Sequence, residues 1–275
     1  MYIARSYYCQ MPTENRGTDR HARSQLRQWW HSDHRLRRVE GAFAIARQPD
    51  GKLVAAGTTY INYGTDFALA RYNSDGTLDS SFGNGGKVTL NFGPWDQGTS
   101  VAVQQDGKIV IAGGANNVYT DFGLARYNSD GTLDSSFGVS GIVITQFESP
   151  QFGHVSATPY SMVLQQDGKI VLAGVGNIDG GEGFALARYN SNGTLDPSFG
   201  TGGKVTTEFG TLQQGFSWAF ANSLALQVDG KIVAAGSAYL GQSENFALVR
   251  YNSDGTLDSS FGTSGQSDQQ LHRRG

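Results

Sequence analysis

Carboxylates, aromatic rings and one histidine are the side chains of this chain that could carry chemistry. Cleavage of a glycosidic bond by a hydrolase or a lyase requires acidic and basic groups, often carboxylates, beside the scissile bond. The acids proposed to act as acid and base lie outside the repeated turn motifs: Asp96, Glu148, Asp179, Glu182 and Glu208. No spacing singles out a pair among them. The chain has no G-x-S-x-G, H-E-x-x-H or P-loop motif, so it lacks these signatures of serine hydrolases, zinc proteases and phosphate-binding loops.

Aromatic residues concentrate in the segments that differ from one part of the chain to the next. The candidate binding residues are these aromatics together with the one histidine among them: Tyr60, Tyr63, Trp95, Tyr119, Phe152, His154, Trp218 and Tyr239. Exposed rings of this kind can stack on sugars or anchor a protein partner. The alternative is that each ring packs over the edge of its own sheet. The sequence therefore predicts a glycan or a protein as the ligand.

The segment 71–82 resembles a calcium loop only in part. Asn73 and Asp75 match the third and fifth positions of an EF-hand loop, but Arg71 and Phe82 occupy the first and twelfth positions, where carboxylates are required. The acids are therefore interpreted as turn residues, because aspartate and asparagine side chains commonly bond to the backbone of tight turns. No cofactor and no metal are expected, with weak calcium binding by the repeated acids as the alternative.

These residues must be positioned by a motif that occurs four times. The sequence ARYNSDGTLDSSFG or a close variant begins at residues 70, 125, 187 and 249. A second motif of the form DGKIVxAG precedes each copy, within 49–57, 105–113, 166–174 and 228–236. Self-similarity at a spacing of about 60 residues indicates a tandem repeat whose units must stack on one another.

Each repeat predicts four short strands and no helix. In the second repeat the strands are expected at 100–105, 108–113, 122–128 and 141–147, with Asp-Gly turns between them. Four-stranded units at this period favour an all-β fold, a β-propeller built from four tandem four-stranded blades. A β-solenoid or a tandem sandwich is the competing architecture.

An arginine and an aspartate recur eight residues apart in every repeat. We predict that they form ion pairs that tie a strand to a loop, and that they are scaffold rather than active-site residues. The four pairs are Arg71 and Asp79, Arg126 and Asp134, Arg188 and Asp196, and Arg250 and Asp258.

The two motifs resemble the delta-60 repeat family, bacterial β-propeller repeats with kelch-like blades. The resemblance covers about 41–265. It implies a propeller without known catalytic activity and an extracellular or cell-surface location. The expected function is therefore a non-enzymatic binding or interaction module of a bacterial surface or secreted protein. A polysaccharide-acting hydrolase or lyase and a structural spacer are the alternatives.

The charge and the ends of the chain limit its partners further. Residues 41–265 hold 11 Lys and Arg against 19 Asp and Glu, so a nucleic acid is not an expected partner. No apolar run is long enough for a transmembrane helix, and the N-terminus has no signal-peptide pattern.

The predicted domains are a basic, disordered or non-native leader at 1–40, the propeller at 41–265 and a disordered tail at 266–275. The predicted repeats are 41–97, 98–155, 156–217 and 218–265. The fourth repeat is followed by SGQSDQQLHRRG, which has no apolar strand pattern. The last blade is therefore predicted to be incomplete, leaving an open edge through which the chain could associate.

Overall fold

The repeats fold into successive antiparallel sheets of four strands each. The computed structural model describes residues 41–116, 118–178, 181–209, 218–240 and 243–269. The predicted leader, Asp179 and residues 270–275 of the predicted tail lie outside these described residues.

The strands follow one another along the chain in every sheet. The first sheet contains β1 (Gly41–Arg47), β2 (Leu53–Ile61), β3 (Gly64–Tyr72) and β4 (Lys87–Leu90). The second contains β5 (Gln97–Val103), β6 (Ile109–Asn116), β7 (Thr120–Tyr127) and β8 (Ile142–Thr145). A short hairpin, β9 (Phe147–Ser149) and β10 (Gly153–Val155), comes next. The third contains β11 (Ala157–Leu164), β12 (Ile170–Ile178), β13 (Gly181–Tyr189) and β14 (Lys204–Thr207). The fourth contains β15 (Trp218–Leu226), β16 (Ile232–Leu240), β17 (Ser243–Tyr251) and β18 (Gln266–Gln269).

The prediction of an all-β fold made of four-stranded units is confirmed. The prediction that the last blade is incomplete is wrong, because β18 pairs with β17 from Phe246↔Gln269 to Val249↔Gln266. Pairing in a sheet uses main-chain groups, so a polar segment can supply the outermost strand. The turn before it has the same positive-φ residues as in the earlier repeats, Gly262, Ser264 and Gly265, and this turn directs the chain back along β17.

The glycine that ends each DGKIVxAG motif is required by a close approach of two backbones. A Cβ at Gly113 would lie 2.0 Å from the carbonyl oxygen of Gln97 on the neighbouring strand, where the register of the first two strands shifts. The equivalent distances at Gly57, Gly174 and Gly236 are 1.8, 1.9 and 1.7 Å. A side chain cannot be accommodated against a backbone atom at that separation, which explains why the motif repeats glycine there.

The second and third sheets bury apolar side chains on both faces because each packs between two neighbours. We call the face toward the following sheet its front face and the other its back face. On the front face of the second sheet, Phe122 and Leu124 belong to the same buried cluster as Leu172 and Tyr189 from the back face of the third. Similar clusters join the first sheet to the second and the third to the fourth. Within the described ranges, no such cluster joins the fourth sheet to the first.

An arginine forms a polar joint between successive sheets. Arg126 Nε lies 2.7 Å from Asp134 Oδ2, and Arg126 Nη1 donates a hydrogen bond to the carbonyl oxygen of Ser191 in the third sheet. The guanidinium also stacks 4.6 Å from the centre of the Phe137 ring. Lys108 Nζ is a second cation for Asp134, at 2.9 Å. The repeated arginine therefore links its own strand and loop to the next sheet.

All four predicted arginine–aspartate pairs lie within ion-pair distance. The separations are 2.8 Å for Arg71–Asp79 and 2.7 Å for Arg126–Asp134, Arg188–Asp196 and Arg250–Asp258. The bond to the next sheet is made by the first three arginines, whose acceptors are the carbonyl oxygens of Ser129, Ser191 and Ser253.

Candidate functional site

The sheets have one uniform end and one variable end. Because the strands alternate in direction, the Asp-Gly-Lys turns and the long loops after β3, β7, β13 and β17 lie at one end. The loops after β2, β6, β12 and β16 lie at the other, together with the connections from one sheet to the next. We call this second end the variable end, because its connections differ in length and composition. Differences between otherwise identical units are where specificity can enter.

The hairpin β9–β10 is the most elaborate connection described at the variable end. Phe147 and Val155 are buried, and Phe147 packs on Phe122 of the second sheet with ring centres 4.8 Å apart. Side chains alternate between the two faces of a strand, so Glu148 and His154, which are directly paired across the hairpin, lie together on its outer face. The buried face of the hairpin thus anchors it and directs these two polar side chains outward.

His154 is held by a buried carboxylate of the second sheet. Its Nε2 lies 2.7 Å from Asp121 Oδ1 on β7, and about a quarter of its side chain (27%) remains exposed. The Tyr119 ring flanks the imidazole with ring centres 4.5 Å apart. An aspartate that accepts a hydrogen bond from one ring nitrogen orients the imidazole and leaves the other nitrogen for a substrate or a water molecule.

Two carboxyl groups near this hairpin have raised pKa values. Burial raises the pKa of Asp121, and the hydrogen bond from His154 only partly offsets this effect. Burial also raises the pKa of Glu182 on β13. Glu182 is paired with Asn177 of β12, the strand against which the hairpin packs. Buried carboxylates with raised pKa values are frequent among acid–base groups of active sites.

Asp96 is buried and stabilises the connection between β4 and β5. Its carboxylate accepts hydrogen bonds from the backbone N–H groups of Phe92, Gly93 and Asn116, and the side chain is fully buried. Burial raises its pKa although those hydrogen bonds lower it, and the nearby Asp66 raises it further. With both oxygens bonded to backbone and no route to solvent, Asp96 braces the loop and is not available for catalysis. Glu148 and Glu208, by contrast, are exposed.

The structure places the predicted binding aromatics at the variable end. The exposed rings there are Tyr63, Trp95, Tyr119, Phe152, Trp218 and Tyr239. Trp218 and Tyr239 are directly paired across β15 and β16, so they form one aromatic pair at the rim of the fourth sheet. Tyr60 is half-buried. The structure therefore brings His154 together with Tyr119, whereas the other rings lie on the first sheet, on the fourth sheet and on the connections that follow the first and second sheets.

Charge at the variable end is almost entirely negative. The described acids there include Asp66, Asp121, Glu148, Glu182 and Glu208, and no described lysine or arginine belongs to its loops. Lys204 reaches its margin, where Nζ donates a hydrogen bond to the Gln146 carbonyl at 2.9 Å. The potential of this surface therefore disfavours anionic ligands.

The repeated acids of the uniform end are engaged by their own turns. Asp75 Oδ1 accepts hydrogen bonds from the backbone N–H and the hydroxyl of Thr77, and these bonds lower its pKa. Among the described residues, no group of three or more His, Cys, Asp or Glu side chains could hold a metal ion. No described helix is long and apolar enough to cross a membrane.

Sequence reasoning did not identify Asp121 as a site residue. The Asp-Phe pair at 121–122 also occurs at 66–67 in the first repeat, so Asp121 is not a departure from the repeat. What distinguishes it is its partner, since His154 is the only histidine in the repeated region. The counterpart Asp66 accepts a hydrogen bond from Asn91 instead, at 2.7 Å.

Four stacked four-stranded antiparallel sheets with sequential strands are the architecture of β-propeller blades. Four segments of the chain, 48–82, 104–137, 165–199 and 227–261, match the family described as a domain of unknown function (DUF5122) beta-propeller. These segments make up half of the chain, and the chain belongs to this family. No curated protein matches it.

The chain is similar to several solved structures at low sequence identity. The native arabinanase Arb43A of Bacillus subtilis is 16% identical, over 82% of this chain and 79% of that chain, with a TM-score of 0.47. The periplasmic gluconolactonase of Pseudomonas aeruginosa is 14% identical, over 80% and 56%, with a TM-score of 0.49. An ulvan lyase of a new polysaccharide lyase family is 14% identical, over 76% and 55%, with a TM-score of 0.48.

A non-enzymatic binding or interaction module was expected from the sequence, whereas the similar structures reported above are described as an arabinanase, a gluconolactonase and an ulvan lyase. The non-enzymatic expectation is withdrawn in favour of its hydrolase or lyase alternative.

Proposed function

We propose that this protein is a hydrolase that acts on an uncharged polysaccharide at the variable end, with His154 as its acid–base group. The observation that carries the proposal is the 2.7 Å contact between His154 Nε2 and Asp121 Oδ1, made by a partly exposed imidazole and a buried carboxylate. A histidine oriented in this way has its second ring nitrogen free to accept or donate a proton.

The surroundings of His154 support a carbohydrate as the substrate. Tyr119 and Phe152 are exposed, Phe152 lies two residues before the histidine, and the Tyr119 ring contacts the imidazole. Aromatic faces stack on the apolar faces of sugar rings, and several rings on one surface suit a polymer. The excess of acids at this end repels polyuronates and sulfated polymers. This repulsion favours hydrolysis of a neutral chain over elimination from an anionic one.

Two carboxyl groups complete the proposed chemistry. Glycoside hydrolysis needs an acid that protonates the leaving oxygen and a second group that activates water or stabilises the sugar cation. Glu182, whose pKa is raised by burial, is assigned the role of acid. His154, with Nε2 directed at Asp121, takes a proton from water at Nδ1, and Glu148 beside it stabilises positive charge on the imidazole and on the sugar.

A polymeric substrate implies a location outside the cytoplasm, consistent with the extracellular or cell-surface location predicted from the sequence. The proposal also retains the resemblance to the delta-60 repeats, which are bacterial repeats with kelch-like blades. The proposed hydrolase function does not require a protein partner. The aromatic rings outside the His154 region are assigned to binding the polysaccharide away from the cleaved bond.

The test is the release of reducing ends by the full chain from neutral polysaccharides such as arabinan, xylan and galactan. The variants His154→Asn and Asp121→Asn should lower turnover by about 100-fold or more, the contribution expected of a general acid–base group. Glu182→Gln should have a comparable effect. Glu208→Gln is the matched control, because Glu208 is an exposed acid at the same end but directly follows β14 instead of lying on the hairpin that carries His154. The activity of this variant should remain unchanged.

A second assay separates hydrolysis from elimination. A lyase generates an unsaturated sugar that absorbs near 235 nm, whereas a hydrolase does not. Absorbance that appears only with polyuronates would replace the hydrolase assignment by a lyase. Turnover that is equal in the wild type and in His154→Asn would refute the assignment of the site, and the absence of turnover on every neutral polymer would refute the proposed function.

A further inference from the structure

A pocket opens at the variable end of the first sheet, between the turn that joins β2 to β3 and the connection that leads to β5. We call it the first-sheet pocket. It has a volume of about 340 Å³ and is lined by residues 61–64 of the turn, by Asp66 of β3, and by Asn91 and Pro94 of the connection. Pockets that bind small molecules commonly have volumes of about 300–1,000 Å³, so its size suits a small ligand or a single unit of a polymer.

The connection that forms one wall of this pocket is fixed to β3 by main-chain contacts. The Thr65 N–H donates a hydrogen bond to the Pro94 carbonyl at 3.1 Å, and the Asp96 N–H donates one to the Thr65 carbonyl at 2.8 Å. A Cβ at Gly64 would lie 2.3 Å from the same Pro94 oxygen, so the turn and the connection approach as closely as glycine alone permits. The pocket is therefore preformed, and a ligand loses little affinity to the ordering of the protein.

Asp66 supplies a buried carboxylate with one oxygen available to a ligand. The residue is 7% exposed, and its Oδ1 accepts a hydrogen bond from Asn91 Nδ2 at 2.7 Å. No donor among the described residues reaches its Oδ2. The counterpart in the second repeat, Asp121, has both His154 and Gln146 as hydrogen-bond partners. Because buried polar atoms normally have partners, an oxygen of Asp66 that lines a pocket is placed to accept a hydrogen bond from a ligand.

The different lengths of the two connections explain why these two aspartates differ. In the second repeat the connection 146–156 contains the β9–β10 hairpin, which brings His154 to Asp121. The connection 91–96, which the structure describes in full, is shorter and has no such hairpin. Asp66 therefore occupies the same position of the repeat as Asp121 but faces a pocket, whereas Asp121 orients a histidine.

Tyr63 lines the pocket in a strained backbone conformation. Ile61 pairs with Gly64, so Asn62 and Tyr63 are the two central residues of a hairpin turn, with φ values of 48° and 68°. Such turns favour Asn followed by Gly, because a bulky side chain is rare at positive φ. Tyr63 is 87% exposed, so burial of its ring does not compensate for the strain. Strained residues cluster at ligand sites, and this residue holds an aromatic ring at the pocket.

The chemistry of the lining matches a sugar. Tyr63 and Pro94 supply apolar surface for the C–H face of a sugar ring. Asp66 accepts hydrogen bonds, and the amides of Asn62 and Asn91 can both donate and accept them. Hydroxyl groups also donate and accept, so they can use this whole set, whereas an ammonium group could use only the acceptors. The carboxylate disfavours an anion.

We propose that the first-sheet pocket binds one neutral sugar unit of the polysaccharide on which the protein acts, with Asp66 Oδ2 accepting hydrogen bonds from its hydroxyl groups and the Tyr63 ring stacking on its apolar face. This inference rests on the proposed function for the identity of the polymer. The pocket is a binding subsite and takes no part in bond cleavage at His154. Its contacts are the same before and during cleavage, so they should lower KM and leave kcat unchanged.

The test is the binding of neutral hexasaccharides of arabinose, xylose and galactose to the full chain, measured by isothermal titration calorimetry. The His154→Asn variant serves as the parent, so that the sugars are not hydrolysed during the measurement. Tyr63→Gly should weaken binding by about tenfold or more through the loss of stacking, with little change in Tm because glycine suits the positive φ. Asp66→Asn should weaken binding by a similar factor, because hydrogen bonds to an ionised acceptor are about twice as strong as neutral ones.

Each variant has a matched control. Ser140→Gly is the control for Tyr63→Gly, because Ser140 also has a positive φ, of 53°, but lies in a loop of the uniform end. Glu208→Gln is the control for Asp66→Asn, because it removes one negative charge from the variable end outside the pocket. Both controls should bind the hexasaccharides like the parent.

The outcomes separate this inference from the proposed function. Binding that depends on Tyr63 and Asp66, in a protein without turnover, would support the pocket and refute the hydrolase. Turnover by the chain with His154 intact, with KM unchanged in Tyr63→Gly and in Asp66→Asn, would overturn the pocket and retain the hydrolase. Binding of glucosamine oligomers but of no neutral hexasaccharide would overturn the inference in favour of a cation site. The absence of binding to all of these sugars would overturn it outright.

Discussion

Replacing Arg126 by alanine tests whether the polar joint stabilises the stack of sheets. The substitution removes the donor to the Ser191 carbonyl in the third sheet and the stacking on Phe137. Asp134 retains Lys108 at 2.9 Å, so its carboxylate does not become an isolated buried charge. The loss should therefore come mainly from the contact between sheets.

The magnitude follows from these contacts. A hydrogen bond that involves a charged group contributes about 1.5–3 kcal/mol, and a partly desolvated cation–π contact about 0.5–1 kcal/mol. Together they predict that Arg126→Ala lowers the free energy of unfolding by about 2–4 kcal/mol. For a cooperative unit of this size, that change corresponds to a decrease in Tm of roughly 5–12 °C.

Arg250→Ala provides the matched control for this prediction. Arg250 has the same ion pair with Asp258 and the same stacking on Phe261. It has no described acceptor in a following sheet, and its side chain is more exposed, at 20% compared with 7% for Arg126. The Tm of Arg250→Ala should fall by less than half as much as that of Arg126→Ala.

The assay is thermal unfolding followed by circular dichroism and calorimetry, with both variants at the same protein concentration. Equal decreases in Tm for the two variants would show that the bond to the following sheet contributes nothing. A decrease for Arg126→Ala below about 1 °C would refute the structural role of the repeated arginine altogether.

Two other predictions concern pH and the repeated glycine. Burial raises the pKa of Asp196, but hydrogen bonds from Ser198 and Lys169 and the charge of Arg188 outweigh it and hold the pKa at about 2. Because this pKa is lower in the folded chain than in the unfolded chain, Tm should be constant above about pH 5 and fall between about pH 4 and pH 2, and Asp196→Asn should weaken this dependence. Gly113→Ala should lower Tm by more than Gly153→Ala, because a Cβ at Gly113 meets a backbone oxygen at 2.0 Å. At Gly153 an added Cβ meets nothing within 4 Å, so only the positive φ of 70° opposes the alanine, at a cost of about 1–2 kcal/mol. Similar Tm values would contradict the close-approach explanation.

Much of the fold is predictable from the sequence because the residues that define each strand and turn lie within that strand or turn. Asp-Gly turns, strands of alternating composition and the arginine–aspartate spacing recur four times, and each acts over a few residues. The fourth strand of the last sheet was not predictable in this way. Gln266–Gln269 has no apolar pattern, and it pairs with β17 through main-chain groups that every residue has.

The candidate site was also only partly predictable from the sequence. The sequence identified His154 and the aromatic residues as departures from the repeat, since a comparison of the four repeats shows such departures without a structure. It could not indicate that Asp121, 33 residues earlier, would become the partner of His154. That pairing depends on where the buried side of the hairpin β9–β10 packs, through Phe147 on Phe122.

The sequence by itself thus determined the unit of the structure, its number of copies and the residues that depart from it. Only the tertiary structure decided which of these residues meet and which copies of the same residue are buried. Phe184 and Phe246 occupy the same position in two repeats, yet one is covered and the other is exposed. The reason is that burial depends on the sheet that packs next in space, and the residues around each phenylalanine do not encode whether such a sheet is present.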